Sequence, residues 1–256
     1  MNEEYKSKVY WDNVALQIMK RDNTAMVVAG DYEPFYIYKR NKFLNFFRTL
    51  NFKGLSVIEI GCGPGGNLGY ISEQGAQKII GFDISAKMLE IAKMRFQNLN
   101  NIFFATYEQD NKLPFSDCEF DFALTSTVLQ HIVDDVEVEE LINEICRVTK
   151  SDIYICERTE IKIKRSFSNV GRPVSFFKKQ FENNGFKTES VKYLNVQISY
   201  FVCGIIRKFF GKKNRNEGEN HSQIVIFLQK IVLIFTVPLD KLFTSKRDLT
   251  IIHFKK

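Results

Sequence analysis

The chain has 256 residues, 45% of them hydrophobic and 26% charged, which excludes a disordered chain, a collagen-like repeat and a coiled-coil rod. Its net charge of +6 is unevenly placed: residues 1–150 carry 16 Lys+Arg against 21 Asp+Glu, residues 151–256 carry 20 against 9. A basic C-terminal part suits an anionic substrate, a membrane surface or nucleic acid, and equally a solvated basic face. The five cysteines form no CxxC pair. That argues against a zinc site or disulfide framework and favours a reduced, cytoplasmic protein. The opening stretch MNEEYKSKVYWDN is polar and reads as no signal peptide.

Residues 1–53 read as helical, with aromatics spread through them. Residues 55–60 are a short apolar run ending in glycines, as in a buried strand. A helix is predicted over 67–74, a strand over 78–83, and a helix over 85–98 that Ser85 can cap. Strands follow at 102–105, 120–125 and 152–156, with a helix over 139–148. Alternating strands and helices predict a parallel sheet covered on both faces. Past residue 157 the rhythm changes. A helix over 175–184 stops at Gly185, and 187–200 pairs with 249–254 as terminal antiparallel strands. Between them, apolar stretches at 198–210 and 224–239 flank a polar loop, 211–222, expected to be mobile. Neither reaches the roughly 20 apolar residues of a bilayer span. Gln229, Lys230 and Pro238 interrupt the second, which reads as a buried cap helix or an interfacial one.

Residues 57–66 read VIEIGCGPGG, and Gly61, Gly63 and Gly66 satisfy GxGxxG. At a strand-to-helix turn that pattern lets the backbone approach a ligand. Glu59 lies inside the strand, so its charge serves either the loop or a cationic group. Asp83 ends the next strand, where a carboxylate accepts from both ribose hydroxyls.

Over about residues 50–160 the chain resembles the class I S-adenosylmethionine-dependent methyltransferases, of the stand-alone small-molecule or glycan type. The residues that carry the resemblance are Val57 through Gly65, Gly81-Phe82-Asp83-Ile84-Ser85, Leu113-Pro114-Phe115, Phe120-Asp121 and Val128-Leu129-Gln130-His131-Ile132. It implies a Rossmann-like α/β fold. Its seven-stranded, mostly parallel sheet has a terminal antiparallel strand and helices on both faces. To this the chain adds an N-terminal helical cap (1–53) and a helical insertion (198–247); the core spans 54–197 and the final strand 248–256. The implied cofactor is S-adenosylmethionine, leaving as S-adenosylhomocysteine. Gly61, Cys62, Gly63 and Gly65 would wrap its methionine part and ribose. Glu59 would support the loop or the amine, Asp83 would hold the ribose, and Ile84 and Met88 would line the adenine side. The residue meeting the adenine amino group falls among Glu108, Gln109 and Asp110. Thr125 and Ser126 would sit beside the methionine and the reacting methyl.

Methyl transfer is an in-line displacement, so the protein must mainly align the partners and exclude water. His131 is the first candidate for a general base, and orienting a loop is the other reading of it. Tyr10, Trp11, Gln130, Glu157 and Arg158 are candidates for the acceptor side, with packing or surface ion pairs as the alternatives. No cluster has metal-ligand spacing. The expected acceptor is a small molecule, a glycan or a lipid-linked compound, with a hydroxyl favoured and no nucleic acid. Residues 198–247 either pack on the core or make peripheral membrane contact. A NAD-type oxidoreductase using the glycine turn, and a non-catalytic binding protein of the same fold, are the alternatives.

Overall fold

A computed structural model describes residues 5–22, 24–107, 112–243 and 245–256. Two helices, α1 (Ser7–Ile18) and α2 (Pro34–Phe47), precede the alternating core. That core is β1 (Ser56–Ile60), α3 (Leu68–Glu73), β2 (Lys78–Phe82), α4 (Ala86–Phe96), β3 (Ile102–Ala105), β4 (Phe120–Ser126), α5 (Asp135–Val148) and β5 (Thr149–Thr159). After a small ribbon of β6 (Lys164–Arg165) and β7 (Val170–Gly171) come α6 (Val174–Asn183), β8 (Lys187–Tyr193), α7 (Gln197–Phe210), α8 (Gln223–Leu242) and β9 (Asp248–Lys255).

The seven-stranded sheet has the order β3-β2-β1-β4-β5-β9-β8. Every pairing from β3 to β5 is parallel, and β9 runs antiparallel to both its neighbours. Successive residues alternate between two apolar layers. Ile58, Ile60 and Ala123 face α5 and α6, whereas Val57, Phe122 and Leu124 face the side of Phe43, Phe47 and Leu68. Both faces are dry, so these strands read as continuous apolar runs. The chain order reverses between β1 and β4, and such a switch point opens a crevice beyond the strands' carboxyl ends.

Several elements differ from the sequence expectation. The N-terminal region is two helices joined by an irregular segment, because Pro34 presets the first turn of α2. Buried Arg21 holds that segment by donating to the carbonyls of Val28, Gly30 and Gly218 at 3.2, 2.8 and 2.8 Å. The loop 211–222 is tied down rather than free. Arg215 pairs with Asp31 at 2.6–2.8 Å, the Tyr10 hydroxyl donates to Glu217, and His221 is buried. β8 ends at Tyr193, and α7 begins at Gln197. α8 runs unbroken through Gln229, Lys230 and Pro238 for 20 residues, and by length and composition it could cross a membrane.

Candidate functional site

A cleft of about 860 Å³ opens at the switch point, walled by the ends of β1, β2 and β4 and roofed by α1 and the segment before α2. Its floor is the turn after β1. Gly61, Gly63 and Gly65 adopt φ of +69°, +52° and +80°, in the left-handed region that favours glycine. The N–H groups of Gly61 and Cys62 both donate to the Phe82 carbonyl, at 2.7 and 3.0 Å, tying the turn to β2. Gly66 satisfies the glycine pattern for a packing reason: a Cβ there would lie 2.1 Å from the Val27 carbonyl oxygen.

Two buried carboxyls flank the turn. Asp83 accepts the Gly63 N–H on one oxygen and the Ser85 N–H on the other, each at 2.8 Å. Burial outweighs both donors and pushes Asp83 up to about 6. Glu59 accepts from Asn67 Nδ2 at 2.7 Å on one oxygen, while its other oxygen is buried without a partner. Burial raises this carboxyl to about 8, against the pull of Asn67 and the Arg40 charge. Arg40, on α2, closes the corner by donating to the Gly66 carbonyl at 2.9 Å.

The opposite wall follows β4. Thr127 takes a φ of +59°, an uncommon conformation for a β-branched residue, at the start of the turn. Next comes one 3-10 turn, Leu129–His131. The Gln130 side chain is oriented by two contacts. Its carbonyl accepts the Arg158 N–H at 3.1 Å, and its amide therefore donates to His131 Nε2 at 3.0 Å. That assigns the ring proton to Nδ1, which donates to the Ser168 carbonyl at 3.0 Å. Trp11 packs edge-on against the ring at 4.9 Å. Burial lowers His131 to about 4, more than its bond to Ser168 restores, so the imidazole is neutral.

Of the residues singled out in sequence, the structure gathers Glu59, Gly61, Cys62, Gly63, Asp83, Ile84 and Met88 on the glycine side of the cleft. Ser126, Gln130, His131, Arg158 and Trp11 stand on the other. Four lie elsewhere. Gly65 faces the ring of Phe96. Tyr10 spends its hydroxyl on Glu217. Thr125 is buried and donates to Glu157 Oε1 at 2.9 Å. Glu157, expected toward the acceptor, is also fully buried. It accepts the N–H groups of Val128 and Gln130 at 3.0 and 3.2 Å, so it braces the wall from behind. Burial outweighs these donors and pushes it up to about 7. Glu108, Gln109 and Asp110 fall outside the described residues. Sequence reasoning missed Asn67, Arg40, Thr127 and Tyr107, which also line the cleft. Only Asn67, directly after the glycine cluster, had a sequence signal.

Residues 57–152 match the methyltransferase domain family. The malonyl-[acyl-carrier protein] O-methyltransferase of Marinomonas sp. is 31% identical over 100 residues, covering 39% of this chain and 36% of that protein. The demethylmenaquinone methyltransferase of Tropheryma whipplei is 30% identical over 106 residues, covering 41% and 42%. The chain spans only 25–42% of the length of the curated relatives it matches. Among solved structures, magnesium protoporphyrin IX methyltransferase from Synechocystis superposes over 100% of both chains with a TM-score of 0.62 at 15% identity, a likeness of fold. The family match covers residues 57–152, and the likeness to solved methyltransferases extends the shared fold across the chain.

Proposed function

We propose that the cleft binds S-adenosylmethionine and that the chain transfers its methyl group to a hydroxyl of a small-molecule or glycan acceptor, releasing S-adenosylhomocysteine. One observation carries the cofactor assignment: the buried, unpartnered Glu59 oxygen beside a left-handed glycine turn. A buried carboxyl oxygen without a partner is costly, and a ligand ammonium is the group that both pairs with it and favours its ionised form. When bound, S-adenosylmethionine supplies a methyl group on a positively charged sulfur.

The chain's own residues then divide the work. Glu59 holds the amine. Asp83 keeps lone pairs for the ribose hydroxyls after serving Gly63 and Ser85. The glycine turn lets the ligand lie against backbone, and Ile84 and Met88 give an apolar side. Glu108, Gln109 and Asp110 retain the place proposed for the adenine amino group. Trp11, Gln130 and Arg158 face the acceptor side, where Arg158 suits an anionic group. His131 is read as a positioning residue, because both its ring nitrogens are engaged within the wall. The alignment of acceptor and methyl, with water shut out by α1, supplies the rate. An O-methyltransferase among the relatives favours an oxygen acceptor.

Calorimetry with S-adenosylhomocysteine and, separately, NAD tests this. The expected result is a Kd on the order of micromolar for the first, lost in Asp83→Ala, and no heat from the second. NAD binding instead would move the reading to an oxidoreductase; binding of neither, to a non-catalytic protein of this fold.

A further inference from the structure

Helix α8 is built inside out. Its buried positions, Val225, Gln229, Thr236 and Asp240, recur on one face, and three of the four are polar. Each polar one is used. Gln229 donates to Glu33 at 2.7 Å and accepts the Phe35 N–H at 3.2 Å. Asp240 accepts from the Ser199 hydroxyl at 2.6 Å, the Ile198 N–H at 2.9 Å and the Tyr38 hydroxyl at 3.0 Å. Thr236 shares the Ser199 hydroxyl at 2.8 Å. A polar seam, with Val225, Val232 and Leu233 beside it, thus fastens α8 to α2 and α7, and most of its other apolar residues point the other way. Phe227, Ile234, Phe235 and Leu242 are 62–74% exposed. The partner helix α7 repeats the pattern, burying Ser199, Cys203 and Ile206 while leaving Phe201 and Phe209 67% and 72% exposed. The contacts Ser199–Asp240 and Phe210–Ser222 make the two helices an antiparallel hairpin.

Exposed apolar rows on two helices packed together mark an interaction site. Charge decides among the occupants. Residues 198–247 hold nine Lys+Arg and three Asp+Glu. Of the acids, Asp240 is buried and Glu217 is taken by Tyr10, whereas Lys208, Lys212, Lys213, Lys230 and Lys241 are exposed. A two-fold contact with a second copy would set these lysines against each other. A bilayer span would strand Gln229 and Asp240 in hydrocarbon. An anionic bilayer surface takes the aromatic and aliphatic rows into its acyl boundary and pairs the lysines with headgroups.

We propose that the α7–α8 hairpin docks on an anionic membrane, with α8 lying in the plane of the interface. The hairpin also supplies Tyr200, Arg215 and Glu217 to the cleft wall, so docking sets the cleft beside the lipid surface. This inference rests on the hairpin alone and does not depend on the reaction assigned to the cleft.

Vesicle flotation of the full chain tests it, on phosphatidylcholine with and without phosphatidylglycerol. Flotation is expected only with the anionic lipid. Replacing Phe227, Ile234 and Phe235 by Gln should weaken partitioning on the order of a hundredfold or more. Lys212→Gln with Lys213→Gln should weaken it about thirtyfold. Unchanged far-ultraviolet dichroism and thermal midpoint show that the variants are folded, whether or not the cleft binds cofactor. Wild-type protein that stays in solution overturns the proposal. So does a wild-type dimer that the triple replacement dissociates, since the face would then belong to a second copy.

Discussion

A Cβ on Gly61 would lie 2.2 Å from Val128 Cγ2, so the turn after β1 and the turn after β4 touch where only hydrogen fits. Val128 has little freedom to retreat, because its N–H is held by Glu157 Oε1 at 3.0 Å from β5. Gly61→Ala combines this clash with a left-handed φ of +69°. We expect it to cost about 1–3 kcal/mol of stability and to abolish S-adenosylhomocysteine binding. Adding Val128→Ala removes the two clashing methyls and leaves a 3.2 Å approach to its Cβ and the backbone strain, so the double variant should recover part of the loss. Calorimetry and urea unfolding on the two single variants and the pair check this; strict additivity would show that the contact carries no energy.

Glu59→Gln keeps the oxygen that Asn67 binds and removes the negative charge. Charge-assisted contacts contribute about 1.5–3 kcal/mol, so S-adenosylhomocysteine affinity should fall at least about tenfold. The ligand-free protein should be no less stable at pH 8, because the variant has no carboxyl to ionise at position 59. An affinity equal to wild type would mean that the unpartnered oxygen never meets the ligand's amine.

The strands and the glycine turn were legible because local pattern determines them. β1 and β2 are apolar runs covered on both faces, and Gly61 and Gly63 sit where the backbone must turn left-handed. Glu157 was misplaced because a carboxylate past a strand's apolar run reads as exposed. Only the fold brings the Val128 and Gln130 N–H groups over it. The inverted α8 was illegible for a related reason. Hydropathy finds a narrow polar stripe, and it does not tell whether Glu33, Ser199 and Tyr38 wait beneath it. The loop 211–222 has turn residues throughout, and its anchors Tyr10, Arg21 and Asp31 lie 184–207 residues earlier.

Ligand-free stability should fall between pH 6.5 and pH 8. Burial is the largest cause in each of three raised carboxyls: Glu59 at about 8, Glu157 at about 7 and Asp83 at about 6. Asp83 has given up most of its proton by pH 6.5, but Glu59 and Glu157 still hold protons there that the unfolded chain has released, so raising the pH favours unfolding. His131 has the opposite sign. Its value of about 4 lies below the ordinary 6.5, so its contribution is complete above pH 6.5 and lost as the pH falls toward 4. It therefore opposes the carboxyls below pH 6.5 and leaves the upper window to them. A fall on the order of 2 kcal/mol is expected, smaller in Glu157→Gln. Urea midpoints at the two pH values measure it, and a wild-type rise toward pH 8 would contradict these buried protonated acids.

His131 separates two readings of the wall. A general base commonly contributes 10²–10⁴ in rate and leaves an acid limb in the pH profile at its own pKa. Here Nε2 already accepts from Gln130, Nδ1–H donates to Ser168, and Trp11 packs perpendicular to the ring. A ring so engaged orients the wall, and its value of about 4 leaves no protonation step near neutrality. With a turned-over acceptor, His131→Asn should therefore lower kcat less than about tenfold while raising the acceptor KM. S-adenosylhomocysteine affinity should stay within about threefold of wild type, since His131 lies on the wall across the cleft from the glycine turn. Gln130→Ala, which frees Nε2, should shift KM in the same direction because it disturbs the same wall. A hundredfold or greater loss of kcat in His131→Asn with KM unchanged would return the residue to the role of base, with Gln130 as the group that must swing away before the acceptor binds.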